Sequence, residues 1–179
     1  MNVAFSAAHS TRCLKRQVGA VIATERGEPI SVGYNENPDK IKPCIEEFKE
    51  CYRDRIRNEH FAQLAGKTNC PACGETISAM VGPPWRCSAC QANLERFFFP
   101  DRAMTWCTAL HAEERAIINA AGRNLEQTVI YTTAFPCFLC AEKILQAGIT
   151  PGRFCGPVPR HLQRRVAGTR EADHRGRAF

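Results

Sequence analysis

The spacing of apolar residues changes along the chain, and each change marks an element. Val3, Ala4, Ala7, Ala8 and Leu14 fall on one face of a helix over residues 1–15. Residues 18–24, Val-Gly-Ala-Val-Ile-Ala-Thr, form a short apolar run of the buried-strand kind. A turn at 25–28 and a second strand over 29–34 complete a hairpin. Residues 35–38 leave it as a loop, and the charge-rich stretch 41–66 reads as helical without strong amphipathicity. Beyond residue 103 the pattern becomes regular again. A helix over 111–121 ends at Gly122, a β-branched strand covers 128–133, and a helix over 136–148 stops at Gly148. A leading hairpin followed by alternating helix and strand predicts a layered α/β domain.

Two stretches break this pattern. Residues 68–92 carry paired cysteines around Gly82-Pro83-Pro84 and little else to pack, so they read as an insertion into a domain spanning 1–150. Residues 151–179 follow a helix that ought to feed a strand, yet Pro151, Pro157 and Pro159 rule out a central one.

The chain has 179 residues, 44% of them apolar, enough for one folded domain with a sizeable core. No apolar run reaches the roughly 18 residues of a membrane helix, and the N-terminus lacks a secretory pattern, so the expected compartment is the cytoplasm. The net charge of +6 suggests nucleic acid until its distribution is read. Residues 151–179 hold seven Arg against Glu171 and Asp173, which leaves the rest of the chain close to neutral. Eleven cysteines, an odd number, argue against a disulfide framework and for metal.

The strongest chemical signal is His111-Ala-Glu113 followed by Pro136-Cys137-Phe-Leu-Cys140, the H-x-E…P-C-x-x-C pattern of zinc nucleobase deaminases. One imidazole and two thiolates make a three-ligand zinc site that leaves a position for water. Zinc lowers the pKa of such a water. Glu113 is placed to carry a proton without binding the metal. Singly, these residues have plainer readings: His111 as a helix cap, Glu113 as a solvated carboxylate, the cysteines as core fillers. Their joint spacing, each opening a predicted helix, favours the catalytic reading.

Cys70-x-x-Cys73 and Cys87-x-x-Cys90 have the form of a zinc ribbon, with a gap slightly shorter than usual. Four thiolates close a structural tetrahedral site and leave no room for catalysis. The expected metal content is therefore one catalytic and one structural Zn2+.

The segments Ala4-Phe-Ser-Ala-Ala-His-Ser-Thr-Arg-Cys13, Gln17-Val-Gly-Ala-Val-Ile22, Gly33-Tyr-Asn35 and Tyr131-Thr-Thr-Ala-Phe-Pro-Cys137, together with the zinc motifs, resemble the deoxycytidylate (dCMP) deaminase family. Phe135 before Pro-Cys departs from tRNA adenosine and riboflavin-pathway deaminases, which usually carry Glu there. The resemblance covers residues 1–150, interrupted by the ribbon. It implies a three-layer α/β/α cytidine-deaminase-like fold with a mixed five-stranded sheet, usually assembled as a homo-oligomer. It implies hydrolysis of a deoxycytidine nucleotide, dCMP first, to the deoxyuridine form and ammonia. Asn35 would hydrogen-bond the sugar, the Ala112 N–H the base carbonyl, and Thr133 and Ala134 would meet the amine. Asn35 also has a plain turn reading. One departure stands out: Arg115 replaces the Asn of the family's His-Ala-Glu-x-Asn-Ala. Anti-phage deaminases fuse such a domain behind a P-loop kinase-like domain, but no Walker motif occurs here. Some family members hold an extra zinc; Cys13 and Cys44, with Cys51, Cys107 or His60, stand at suitable places, although buried free thiols are the preferred reading. Read one nucleotide later, codons compatible with residues 152–165 give an apolar strand and turn similar to the family's next segment. Residues 151–179 therefore read as a frameshift product, with a natural basic tail as the alternative.

Two rival functions remain. A cytosine deaminase acting on single-stranded DNA would need a basic groove and stacking aromatics. A non-catalytic zinc-binding module would make the ribbon the working part.

Overall fold

β1 (Gly19–Thr24) and β2 (Pro29–Tyr34) form the predicted antiparallel hairpin, with Ala20 opposite Gly33 and Val21 opposite Val32. The computed structural model describes residues 1–78, 83–99 and 106–154. In chain order the other elements are α1 (Asn2–Ala8), α2 (Cys44–Glu47), α3 (Tyr52–Leu64), α4 (Glu95–Phe98), α5 (Ala112–Asn119), β3 (Thr128–Thr132), α6 (Phe138–Gln146) and β4 (Thr150–Phe154). The chain divides into two compact units, Cys44–Thr108 and the remainder.

The larger unit is built on a mixed sheet of order β2-β1-β3-β4, in which β3 runs antiparallel to β1 and parallel to β4. Two glycines set its layers. A Cβ on Gly19 would stand 2.0 Å from the Ala4 carbonyl oxygen of α1, and one on Gly33 would stand 2.2 Å from that of Ala112 in α5. Gly33 pairs with Ala20, the neighbour of Gly19, and successive strand residues point to opposite faces. Helices α1 and α5 therefore cover opposite faces, giving the expected α/β/α layering. Ala20, Ile22 and Ile130 pack with Ala112, Ala116 and Ile144 to form the core on the α5 side.

The outer edge of β2 is covered by side chains from α5 and the turn after it. Asn119 donates to the Val32 carbonyl at 2.9 Å and Arg123 to that of Ile30 at 2.6 Å. These side chains occupy two of the carbonyls that another strand would need.

Several boundaries differ from the sequence expectation. Helix α1 stops at Ala8 rather than near residue 15. The stretch 41–66 splits into α2 and α3, with Lys49 at φ 60 between them. After α6 the chain does form a strand, β4, despite Pro151. It lies at the margin of the described sheet and pairs only with β3, the place where a residue without an N–H is tolerated. Four strands are present among the described residues, not five. The expectation about the tail from residue 155 onward lies outside the described residues.

The smaller unit is wider than the 68–92 insertion and has an apolar core of its own. Phe61 of α3 packs with Ile77, Trp85 and Leu94, and Cys70 and Cys87 join them. Arg57 is buried there: its guanidinium pairs with Glu95 at 2.5 Å and lies 5.1 Å over the Trp85 ring.

Candidate active site

His111 and Cys137 are the N-cap residues of α5 and α6, both with extended backbone (φ −71, ψ 156 and φ −71, ψ 166). Cys140 follows in the first turn of α6. The His111 cap is held by Glu114, whose carboxylate accepts the His111 N–H at 2.8 Å and also pairs with Lys143 of α6. This reciprocal arrangement fixes the start of the helix. The His111 side chain faces the N3 backbone in this box while its Nδ1 also lies against the two cysteine sulfurs, so the cap reading and the ligand reading of His111 coexist.

The ring Nδ1 of His111 lies 3.5 Å from Cys137 Sγ and 3.3 Å from Cys140 Sγ. A tetrahedral zinc with ordinary Zn–S and Zn–N bonds would hold S and N about 3.6 Å apart. The three donors therefore fit one zinc ion. The Cys137 thiol is pushed down to about 4, because Cys140 and His111 hydrogen-bond its sulfur; Cys140, the donating thiol, is raised correspondingly. The positive ends of α5 and α6 both favour anionic sulfur at this point.

Glu113 is 4% exposed. Burial raises its carboxyl above the usual range, against the lowering effects of its backbone N–H and of His111. A carboxyl made to hold its proton more tightly, beside a three-ligand metal site, is suited to shuttling protons.

The loop after β2 forms another part of the site's surroundings. Its Glu36 carbonyl accepts the Leu110 N–H at 3.0 Å, next to His111. The Glu36 carboxylate accepts the Arg12 N–H at 2.8 Å. From α5, Arg115 reaches the Asn37 carbonyl at 2.6 Å and Asp39 at 3.1 Å, and lies 5.0 Å over the Tyr34 ring. Sequence reading noticed Arg115 only as a departure and overlooked Glu36, Glu114 and Lys143. A Glu three residues after a helix cap was the signal available for Glu114.

The residues expected at the substrate lie close by but are engaged. Asn35 Oδ1 accepts the Val18 N–H at 2.7 Å, and its Nδ2 donates to the Arg16 carbonyl at 2.8 Å. Each bond leaves the amide a further lone pair on Oδ1 and a further hydrogen on Nδ2, so a sugar contact through Asn35 requires breaking neither. Ala112 is fully buried at the start of α5. Thr133 Oγ1 accepts the Gly19 N–H at 3.0 Å, and the Ala134 carbonyl accepts the Thr132 hydroxyl.

Cys70, Cys73, Cys87 and Cys90 converge as the second group of donors. Among the described residues these are the two groups able to hold a metal, and Cys13, Cys44, Cys51 and Cys107 join neither.

Residues 1–154 match the profile of the cytidine and deoxycytidylate deaminase zinc-binding region. The chain belongs to that family. Curated relatives include the deoxycytidylate deaminases of Saccharomyces cerevisiae, 27% identical over 84% of this chain and 34% of that protein, and of Schizosaccharomyces pombe, 28% identical over 83% and 33%. A deoxycytidylate deaminase of Mycobacterium phage D29 is 24% identical over 83% of this chain and 85% of that protein. The deaminase-family chain thus spans about a third of the length of the two yeast relatives. No helix among its described residues is long and apolar enough to cross a membrane.

Proposed function

We propose that this deaminase-family chain hydrolyses the exocyclic amine of a deoxycytidine nucleotide, dCMP first, giving the deoxyuridine nucleotide and ammonia. The observation that carries the reading is the buried Glu113 carboxyl, which feels the charges of His111 and Cys137, two members of the converging His111, Cys137 and Cys140 donor set. The relatives named deoxycytidylate deaminase support the choice of base and sugar.

His111, Cys137 and Cys140 would hold the zinc, which supplies Lewis-acid activation of water when bound. The protein's own residues do the rest. Glu113 takes a proton from the attacking water and delivers it to the ring nitrogen; a second transfer to the amine makes ammonia the leaving group. Its raised affinity for a proton suits both halves of that relay. Packing of α5 on Gly33 and the bond from Arg115 to the Asn37 carbonyl hold Glu113 and the loop after β2 in place, which spares the reaction the cost of ordering them.

Self-association belongs to the same proposal. Ile118, Leu139 and Leu145 stand exposed along a groove between α5 and α6, and a second copy would bury them. Light scattering that gives a monomer at working concentration would contradict it.

Ammonia release from the zinc-loaded chain, compared on dCMP, dCTP, deoxycytidine and a cytosine-containing oligonucleotide, tests the substrate. Turnover of dCMP well above the others is expected. Turnover of the oligonucleotide alone would overturn the nucleotide reading in favour of a DNA-editing one.

A further inference from the structure

Residues 69–76 and 86–93 are one backbone device built twice, seventeen positions apart. In the first, Asn69 bridges Thr76, the Cys70 N–H donates to the Glu75 carbonyl at 2.7 Å, and the Gly74 N–H donates to the Cys70 carbonyl at 2.9 Å. In the second, Arg86 bridges Asn93, the Cys87 N–H donates to the Ala92 carbonyl at 2.9 Å, and the Gln91 N–H donates to the Cys87 carbonyl at 2.9 Å. Gly74 at φ 79 and Gln91 at φ 61 hold the same left-handed turn after the second cysteine of each copy. Glycine adopts that conformation freely, whereas Gln91 does so at a cost the rest of the knuckle must offset. Each turn aims two sulfurs at one point.

The two points coincide. Cys70 Sγ lies 3.8 Å from Cys90 Sγ, and Cys73 Sγ lies 3.7 Å from Cys87 Sγ. With Zn–S bonds of about 2.3 Å, the edge of a tetrahedron of sulfurs is about 3.8 Å. These separations are too long for a disulfide, whose sulfurs are about 2.05 Å apart. They match an ion-centred tetrahedron with each knuckle supplying half of the ligands.

We propose that Cys70, Cys73, Cys87 and Cys90 bind one structural Zn2+ that clamps the two knuckles onto the aromatic core of the Cys44–Thr108 unit. This site is separate from the catalytic one and independent of the substrate reading. All four positions are protein sulfur, so none is left for water or substrate. A tetrahedral set of four thiolates takes zinc or iron, and zinc binds such divalent sites more tightly than ferrous iron. Cys70 and Cys87 are buried with Phe61, Ile77, Trp85 and Leu94, whereas Cys73 and Cys90 face solvent. The ion thus lies at the rim of that core. The knuckles are joined to the flanking helices: the Gly66 N–H at the end of α3 donates to the Ile77 carbonyl at 2.9 Å, and the Leu94 N–H before α4 donates to the Trp85 carbonyl at 2.9 Å.

The test is metal content together with thiol protection on the full chain. Zinc-loaded wild type, freed of loose metal, should hold two Zn2+ per chain by elemental analysis. Paired Cys73→Ser and Cys90→Ser should leave one, and paired His111→Ala and Cys137→Ser should also leave one. Because the first pair of changes risks unfolding the unit, the wild type supplies a second readout. Cys73 and Cys90 are exposed, so burial cannot shield them. With zinc bound, N-ethylmaleimide should spare both, as judged by peptide mapping, and a chelator should make both react at once. One Zn2+ per loaded chain with Cys73 and Cys90 alkylated immediately would overturn the site, and iron in place of zinc would overturn the choice of metal.

Discussion

The guanidinium of Arg115 donates to the Asn37 carbonyl at 2.6 Å, tying the second turn of α5 to the loop that leaves β2. Arg115 is 8% exposed, and its other contacts are Asp39 and the Tyr34 ring. It begins a row that continues with Asn119 at the end of α5 and Arg123 in the turn after it, each bonded to a β2 carbonyl. An asparagine at position 115, usual in the family, is too short to span both Asn37 and Asp39. The order of the loop at Asn37 and Asp39 therefore depends on this arginine.

Arg115→Asn is expected to loosen the loop without touching the metal ligands. KM for dCMP should rise about tenfold, with kcat changed less, and stability should fall by about 1.5–3 kcal/mol, as for a lost hydrogen bond to a charged group. Arg115→Lys, which keeps the charge but not the fork, should recover part of the KM. Steady-state kinetics and thermal melts check both. A collapse of kcat at unchanged KM would place Arg115 in the chemistry instead.

Gly33→Ala would drive a methyl to 2.2 Å from the Ala112 carbonyl oxygen, and both groups belong to backbone. Neither can move without separating α5 from the sheet. A loss of about 1–3 kcal/mol or more is expected by denaturant titration, together with loss of activity as His111 and Glu113 shift. Unchanged stability would mean that α5 does not pack on Gly33.

Chelation should be visible at Trp85, which is buried against Phe61 at 6.0 Å between ring centroids. In Trp106→Phe protein, the remaining buried emission should shift to the red when zinc is removed, and return when zinc is restored. An unchanged spectrum would show that the knuckles hold this core without metal.

The parts of the site that were legible in the sequence are those written locally. His111 and Glu113, and Cys137 and Cys140, sit two and three residues apart, and helix geometry turns such spacings directly into proximity. The paired knuckle cysteines were legible because each pair is also local, three residues apart in a tight turn. The role of Arg115 was not, because Asn37 and Asp39 lie 78 and 76 residues away in the chain. Nor was the core of the smaller unit. Helix α3 is so rich in charge that it shows no clear apolar face, and only folding shows Phe61 in a core and Arg57 drawn inside by Glu95 and Trp85. The β4 strand was obscured by Pro151, which excludes a central strand but not a marginal one. The partners of Asn35 were not legible either, because Arg16 and Val18 lie 19 and 17 residues away in the chain.

The central claim is that Glu113 moves protons and binds no metal. Its most direct test is Glu113→Gln, measured for zinc content, melting temperature and ammonia release from dCMP on the same preparation. The account predicts full zinc occupancy, a melting temperature equal to or above wild type because a buried carboxyl has been neutralised, and turnover lowered by about 10²–10⁴-fold. Near-normal turnover with zinc in place would contradict it, as would loss of the zinc itself.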